Sequence, residues 1–176
     1  MKWLLTGIFL LGMAFNLTAC QAMSPEQYIE SIAPYATKVK EHGLFPSVAI
    51  AQSCWETGFG RHLDDADIYG NAVRQYNNVL GKKWRFGKYF EKVTPEGSGS
   101  GRYMIVGKFQ SYETLQDCFE DYARNIAKNP AYHAKDTSNA YAFIHSIANR
   151  YATDNPQAYA SGVWRIIEKY NLTRFD

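Results

Sequence analysis

The chain has 176 residues, 46% of them apolar and 20% charged, with a formal net charge of +2. That length and balance suit one globular domain with its own core and lie far from disordered or low-complexity composition. The charge is too small for a nucleic-acid-binding surface, and the four histidines and three cysteines lack metal-ligand spacing, so neither nucleic acid, nor a metal, nor a cofactor is expected.

The first twenty residues stand outside the fold. Lys2 precedes an apolar run too short for a comfortable membrane span, which describes a secretory signal. The run closes on Leu17, Thr18, Ala19 and Cys20, which resembles the lipobox of bacterial lipoproteins. That resemblance implies removal of residues 1–19 and lipidation of Cys20. Residues 20–24 would then be a short tether, residues 25–176 the folded domain, and the location the cell envelope, exported and lipid-anchored. Two or more acyl chains give stable anchoring.

Ser24, Pro25, Glu26 and Gln27 spell a capping box with proline at the first helical position. Tyr28, Ile32, Tyr35 and Val39 continue at helical spacing, and Gly43 closes the element. This helix is expected on the outside of the core. The stretch PSVAIAQSCWETGFG, residues 46–60, predicts a second helix that is apolar all round and therefore buried. Val48, Ala51, Gln52 and Trp55 share one face; Ile50 and Cys54 share another. Gly58 and Gly60 end it, which leaves Glu56 at its C-terminal end. The helix dipole disfavours a charged carboxylate there, and apolar neighbours, Trp55 and Phe59, add desolvation. A carboxylic acid kept protonated near neutral pH is what a general acid in glycoside hydrolysis requires.

Asp64, Asp65 and Asp67 follow in an irregular stretch. They lack the glycine and terminal glutamate of a calcium loop and read as solvated loop carboxylates. Asn77 and Asn78 suit a turn. From residue 88 to 109 the period changes to two, with the glycine-rich PEGSGSG between the halves, so a β-hairpin with Glu96 at its tip is expected. Ser111 is placed as the cap of a helix with inner face Leu115, Cys118, Phe119, Tyr122 and Ile126, stopped by Asn129 and Pro130. A helix carrying Ala140, Phe143, Ile144, Ile147 and Tyr151 comes next. Asp154 opens the last, with inner face Tyr159, Val163, Ile166, Ile167 and Tyr170. Several helices around one hairpin make an α+β domain, mainly α. Cys54 and Cys118 fall on helices; a disulfide and two buried thiols are both open.

PSVAIAQSCWETGFG, NNVLGKK, the strand ending Thr94, Pro95 and Glu96, FQSYETLQDCFEDYARNI, and YATDNPQAYA follow one another in this order. This series resembles the glucosaminidases of glycoside hydrolase family 73, peptidoglycan hydrolases of the autolysin and flagellar-rod type. The resemblance spans about residues 25–176. It implies a lysozyme-like fold with a small hairpin flanking the cleft, and endo-β-N-acetylglucosaminidase activity on the β-1,4 bonds of peptidoglycan glycan strands. No metal or cofactor is implied, and a monomer is expected. Glu56 matches the family's general acid, Glu96 a second carboxylate on a mobile hairpin, and Tyr151 a tyrosine beside the reacting sugar. Asn77, Asn78, Trp84 and Asp154 form the implied substrate-binding set, the asparagines chiefly structural and positioning, Trp84 as a sugar-stacking platform or a core residue. Phe59 stands where the family usually has tryptophan, residues 61–76 resemble an insertion at the cleft rim, and Gly97 replaces a common aromatic. Glu91 is the substitute if Glu96 is misplaced. A muramidase or lytic transglycosylase is the neighbouring chemistry; an inactive peptidoglycan-binding lipoprotein is the rival.

Overall fold

The computed structural model describes residues 23–97, 101–152 and 154–176. The signal, Cys20 and the first part of the tether therefore lie outside the described residues, as does the tip of the hairpin.

Helix α1 (Pro25–Ala36) starts at the Ser24–Gln27 capping box read in the sequence. Its buried face is Tyr28, Ile29, Ile32, Ala33 and Ala36, whereas Tyr35 is exposed. After Ala36 the chain tightens into a 3-10 turn (Thr37–His42), and Gly43 ends it in the left-handed conformation. Helix α2 (Pro46–Thr57) is the axis of the domain: every residue except Trp55 and Glu56 is buried. It packs against α1, against α4 (Ala140–Ile147), against α5 (Pro156–Lys169) and against the C-terminal 3-10 turn Leu172–Phe175. No local side chain caps α2. The Asp176 carboxylate does so from the far end of the chain, accepting from Ser47 N at 2.8 Å and from Ser47 Oγ at 2.7 Å. An acid at a helix N-terminus is favoured by the orphan amides and the dipole together.

The placement of Trp55 on the buried face needs correction. It is 46% exposed, and its ring lies against Gly162 of α5, where even a Cβ would come within 2.2 Å of it. Trp55 covers a helix crossing from outside rather than filling the core.

Strands β1 (Tyr89–Glu96) and β2 (Tyr103–Gln110) pair antiparallel, Tyr89 with Gln110 through Glu96 with Tyr103. Opposed residues share a face. Phe90, Lys92, Thr94 and Glu96 therefore point one way and Tyr89, Glu91, Val93 and Pro95 the other. Glu96 is the last residue of β1 rather than part of the glycine-rich tip. At the base of the hairpin Phe90 is buried and stacked on Tyr76 with ring centroids 4.3 Å apart, and further along Glu91 O accepts from Ile68 N at 3.0 Å and Lys92 pairs with Asp65.

Helix α3 (Leu115–Lys128) is capped by Thr114 and Asp117, not by Ser111, because only Thr114 has an acidic residue three positions on to complete the box. Asn155, not Asp154, caps α5, accepting from Ala158 N at 3.0 Å. Cys54 and Cys118 are buried free thiols, each pushed up to about 12 by burial, which leaves them as small apolar residues. The three loop aspartates are not merely solvated. Asp64 pairs with Arg74, and Asp65 with Lys92 at 2.8 Å. Asp67 is buried; burial alone would raise its pKa, but hydrogen bonds from Tyr76, Asn71 and Tyr69 bring it down to about 2. It holds residues 67–76 in shape as an ionised hub.

Candidate active site

One cleft of about 630 Å³ runs between the end of α2, the loop 78–85, the hairpin's inner face and the segment around Arg150. Glu56, Glu96 and Tyr151 all line it, as does Asn78. The fold therefore brings together the three residues assigned to chemistry in the sequence. Trp84, Asn77 and Asp154 do not line it.

Glu56 stands at the rim of the core, where α2 ends. The carboxylate is open to solvent through the cleft but protein crowds its sides. Oε1 accepts from Tyr159 Oη at 3.1 Å. Oε2 faces the backbone at Gly81, where an added Cβ would sit 3.1 Å away. Gly81 has φ +60, so glycine serves there both for the turn and for the space beside the acid. Crowding pushes the Glu56 pKa up; the Tyr159 hydrogen bond pulls the other way and is outweighed. The desolvating neighbours are Tyr159 and the Gly81 turn. Phe59, expected in that role, packs on Tyr170 instead, at 5.3 Å between ring centroids.

Behind Glu56 lies a buried relay that sequence reading missed. Tyr122 Oη donates to Gln52 Oε1 at 2.6 Å, and Gln52 Nε2 donates to Tyr159 Oη at 3.0 Å. With its lone pair occupied by Gln52, the Tyr159 hydroxyl has its one proton aimed at Glu56. The amide orientation of Gln52 thus sets which way the proton points. A signal was present: Gln52 is a polar residue four positions before Glu56 on a helix otherwise apolar all round, and such a residue needs partners.

Tyr151 stacks on Tyr159, with centroids 6.0 Å apart and planes 3° from parallel. Its hydroxyl is buried, and among the described residues it is the one buried side-chain polar atom with no hydrogen-bond partner. Burial first, then neighbouring tyrosines and Glu56, hold its pKa well above the ordinary range. It remains a neutral phenol, with an unused donor buried beside the cleft, and is unfit as a nucleophile.

Glu96 is held differently. Lys83 Nζ bonds its Oε1 at 2.7 Å while lying 4.4 Å over the Phe109 ring. Glu91 is on the outer face, where it accepts from Tyr69 Oη at 3.4 Å. Only Glu96 of the two lines the cleft.

The asparagine pair spends its amides on backbone. Asn77 donates to the carbonyls of Tyr112 and Glu113, at 3.2 and 2.9 Å. Asn78 donates to Lys82 O and Gln110 O and accepts from Lys82 N, all within 2.9 Å. It shapes the Gly81 turn, and so acts on Glu56 at one remove. Trp84 sits outside the hairpin, packed on Tyr89 and bonded to Gly87 O at 3.1 Å. Asp154 is exposed ahead of α5.

The catalytic domain of an autolysin, Auto, from Listeria monocytogenes superposes with a TM-score of 0.68 at 30% identity, covering 92% of each chain. A peptidoglycan hydrolase from Sphingomonas sp. A1 does so with a TM-score of 0.70 at 25% identity, covering 86% of this chain and 97% of that one. Peptidoglycan hydrolase FlgJ of Vibrio parahaemolyticus is 31% identical over 150 residues, 83% of this chain and 47% of the relative. A probable N-acetylmuramidase of Lactococcus lactis subsp. cremoris is 33% identical over 169 residues, 87% of this chain and 35% of the relative. The chain thus spans half the length or less of these two curated relatives. The family described as mannosyl-glycoprotein endo-beta-N-acetylglucosaminidase matches residues 33–172, and with that match over most of its length the chain belongs to the glucosaminidase family, on a mainly helical, lysozyme-like fold.

Proposed function

We propose that this protein is an exported peptidoglycan hydrolase that cleaves β-1,4 bonds of glycan strands after N-acetylglucosamine, with Glu56 as general acid. The observation that carries this reading is Glu56 itself: a carboxylic acid at the floor of a long cleft, its pKa raised by crowding, with a second carboxylate on the facing hairpin. Family membership and the peptidoglycan hydrolases among the relatives support it.

The roles follow from the atoms. Oε1 of Glu56 is occupied by Tyr159, so Oε2 carries the proton and delivers it to the leaving glycosidic oxygen. Positive charge then develops at the sugar carbon. Glu96 supplies the opposing negative charge from the hairpin, as base for a water or as electrostatic partner. The unpartnered Tyr151 hydroxyl, buried beside the cleft, would bond the sugar's acetamido group or the attacking water once the bound strand brings one against it. If the acetamido group attacks, Glu96 is dispensable; the anomeric configuration of the first product separates these routes.

The lipobox resemblance adds a membrane anchor at Cys20, and the domain would work within reach of that membrane. Cys20→Ala is expected to release the protein from the membrane fraction or leave its signal uncleaved; unchanged fractionation with no acyl mass on the wild type refutes the anchor.

A zymogram on cell-wall substrate, followed by analysis of the new reducing ends, tests the activity. N-acetylglucosamine at those ends bears the proposal out. Muramic acid there would instead place this chain with the relatives named as N-acetylmuramidases. Clear binding with no cleavage would leave a peptidoglycan-binding protein.

A further inference from the structure

At one end of the cleft Lys82, Arg85 and Arg150 line the wall together with Asn125, Asn129 and Tyr132. Lys82 is half-buried, and burial pushes its pKa down. Among the described residues its Nζ makes no hydrogen bond or ion pair. The acid whose charge it feels, Asp121, is already committed, with one oxygen to Arg85 Nη2 at 2.5 Å and the other to Tyr112 Oη at 2.8 Å. Arg85 is further pinned by Asn125 at 2.8 Å. Arg150 is anchored through Nε to Ala131 O at 3.2 Å, which leaves its terminal nitrogens without a partner among the described residues. Tyr132, between the two arginines, feels both of their charges. Three cations therefore meet one acid.

An ammonium withdrawn from water without a partner costs stability, and a chain gains nothing from keeping it there unless something else supplies the opposite charge. Elsewhere in the same cleft the cations are paired inside the protein, Lys83 with Glu96 and Lys92 with Asp65. Only the Lys82 end is left open.

We propose that Lys82, with Arg150 and Arg85 beside it, binds a carboxylate carried by the substrate, so that this end of the cleft is a subsite for acid groups hung from the glycan rather than for bare sugar. The inference rests on the reading of the protein as a peptidoglycan hydrolase and names the part of the strand it takes hold of. Neutral sugars offer hydroxyl and carbonyl acceptors to an ammonium but no opposite charge. A peptidoglycan strand offers two kinds of carboxylate: those of the peptide stem, and the lactyl carboxylate bared where a stem has been removed. A charge-assisted bond in a partly dry cleft is strong enough to separate charged from neutral strands by about tenfold.

The test compares native insoluble peptidoglycan with the same material after its carboxylates are converted to neutral amides. Binding is read by co-sedimentation and turnover by released ends. The wild type is expected to favour native strands about tenfold in binding or KM. Lys82→Met should lose most of that preference while its Tm stays equal or rises, because an unpaired, half-buried charge has been replaced by a side chain of similar length. A wild type without preference, a Lys82→Met protein that keeps the full preference, or one that loses equally on both materials overturns the subsite, as does a clear drop in Tm. Strands stripped of their stems by an amidase, left free or amidated and read by released ends because they no longer sediment, extend the test: a preference there shows that the subsite takes the lactyl carboxylate as well, and its absence restricts the subsite to the stem. A wild type that binds with the preference but never cleaves counts against hydrolysis and leaves the subsite standing.

Discussion

The two carboxylates of the cleft are held by opposite means. Glu56 ends a helix whose other residues, Trp55 aside, are buried, and it is bonded through Tyr159 to Gln52 and Tyr122 in the centre of the core. Glu96 ends a strand of a two-stranded sheet beyond the last of its ties to the 61–76 loop, at Glu91 and Lys92, and its partner is a largely exposed lysine. A two-stranded hairpin is marginal by itself, and an exposed ion pair contributes only about 0.2–1 kcal/mol. Glu56 is thus held by the core, while the facing carboxylate stands on the less supported end of the hairpin. A proton donor must be placed and tuned accurately. A group that responds to charge on a bound sugar can be brought up by closure around the strand.

That contrast breaks most sharply at Glu56. Glu56→Gln is expected to cut turnover by ~10²–10⁴-fold, measured on purified peptidoglycan, with circular dichroism unchanged. Stability should move the other way. A carboxylate with a raised pKa binds its proton more tightly in the fold than in the unfolded chain. The wild type therefore loses stability as pH rises from the ordinary carboxylate range through the raised value. Glu56→Gln lacks that loss, so its Tm at pH 7–8 should equal or exceed that of the wild type. A lower Tm would mean the carboxylate is a structural group.

Glu96→Gln should come next, with turnover down by about a hundredfold if Glu96 serves as base and Tm hardly altered, since exposed substitutions usually cost within about 0.5 kcal/mol. Glu91→Gln, on the outer face, should stay within about twofold of the wild type. Reversal of that order would move the second carboxylate to Glu91; two mild variants would leave the acetamido group to complete the reaction.

Lys83 sharpens the comparison further. Lys83→Met should lower kcat by about tenfold with a smaller change in KM, because Glu96 loses the contact that holds it over the sheet. Lys83→Arg should recover much of the loss. A Lys83→Met enzyme with normal kcat would show that Glu96 needs no such support.

A smaller catalytic effect than at Lys83 is expected at Tyr159. Tyr159→Phe removes a bond that lowers the Glu56 pKa, so the acid should stay protonated to higher pH and the alkaline limb of the activity profile should shift upward. Gln52 Nε2 would also lose its acceptor, a cost of about 1–3 kcal/mol in denaturant melts. A limb that moves downward would contradict the relay.

Much of this was legible in the sequence. The capping box at Ser24, the all-apolar α2 ending at Gly58, the period-two stretch around a glycine-rich turn, and Glu56 at a helix end are local patterns, and local patterns follow from helix and strand periodicity. The cap of α3 was misplaced by three residues, because Ser111 and Thr114 are both good caps and the box with Asp117 separates them only when read together.

Other features depended on contacts between distant segments. The cap of α2 comes from Asp176, 129 residues away, which no local pattern announces. Proximity along the chain puts Phe59 beside Glu56, whereas Phe59 packs on Tyr170 and α5 brings Tyr159 to the carboxylate. Strand alternation put Glu91 and Glu96 on opposite faces, but which face meets the cleft depends on how the hairpin base docks through Phe90 onto Tyr76. The sequence by itself determined the elements and the place of Glu56 at a helix end, because periodicity, capping and glycine act within a few residues. The relay behind the acid, the pairing of Glu96 with Lys83 and the partnerless Lys82 were decided only by tertiary structure, because hydrogen bonds and desolvation depend on what the rest of the chain brings alongside.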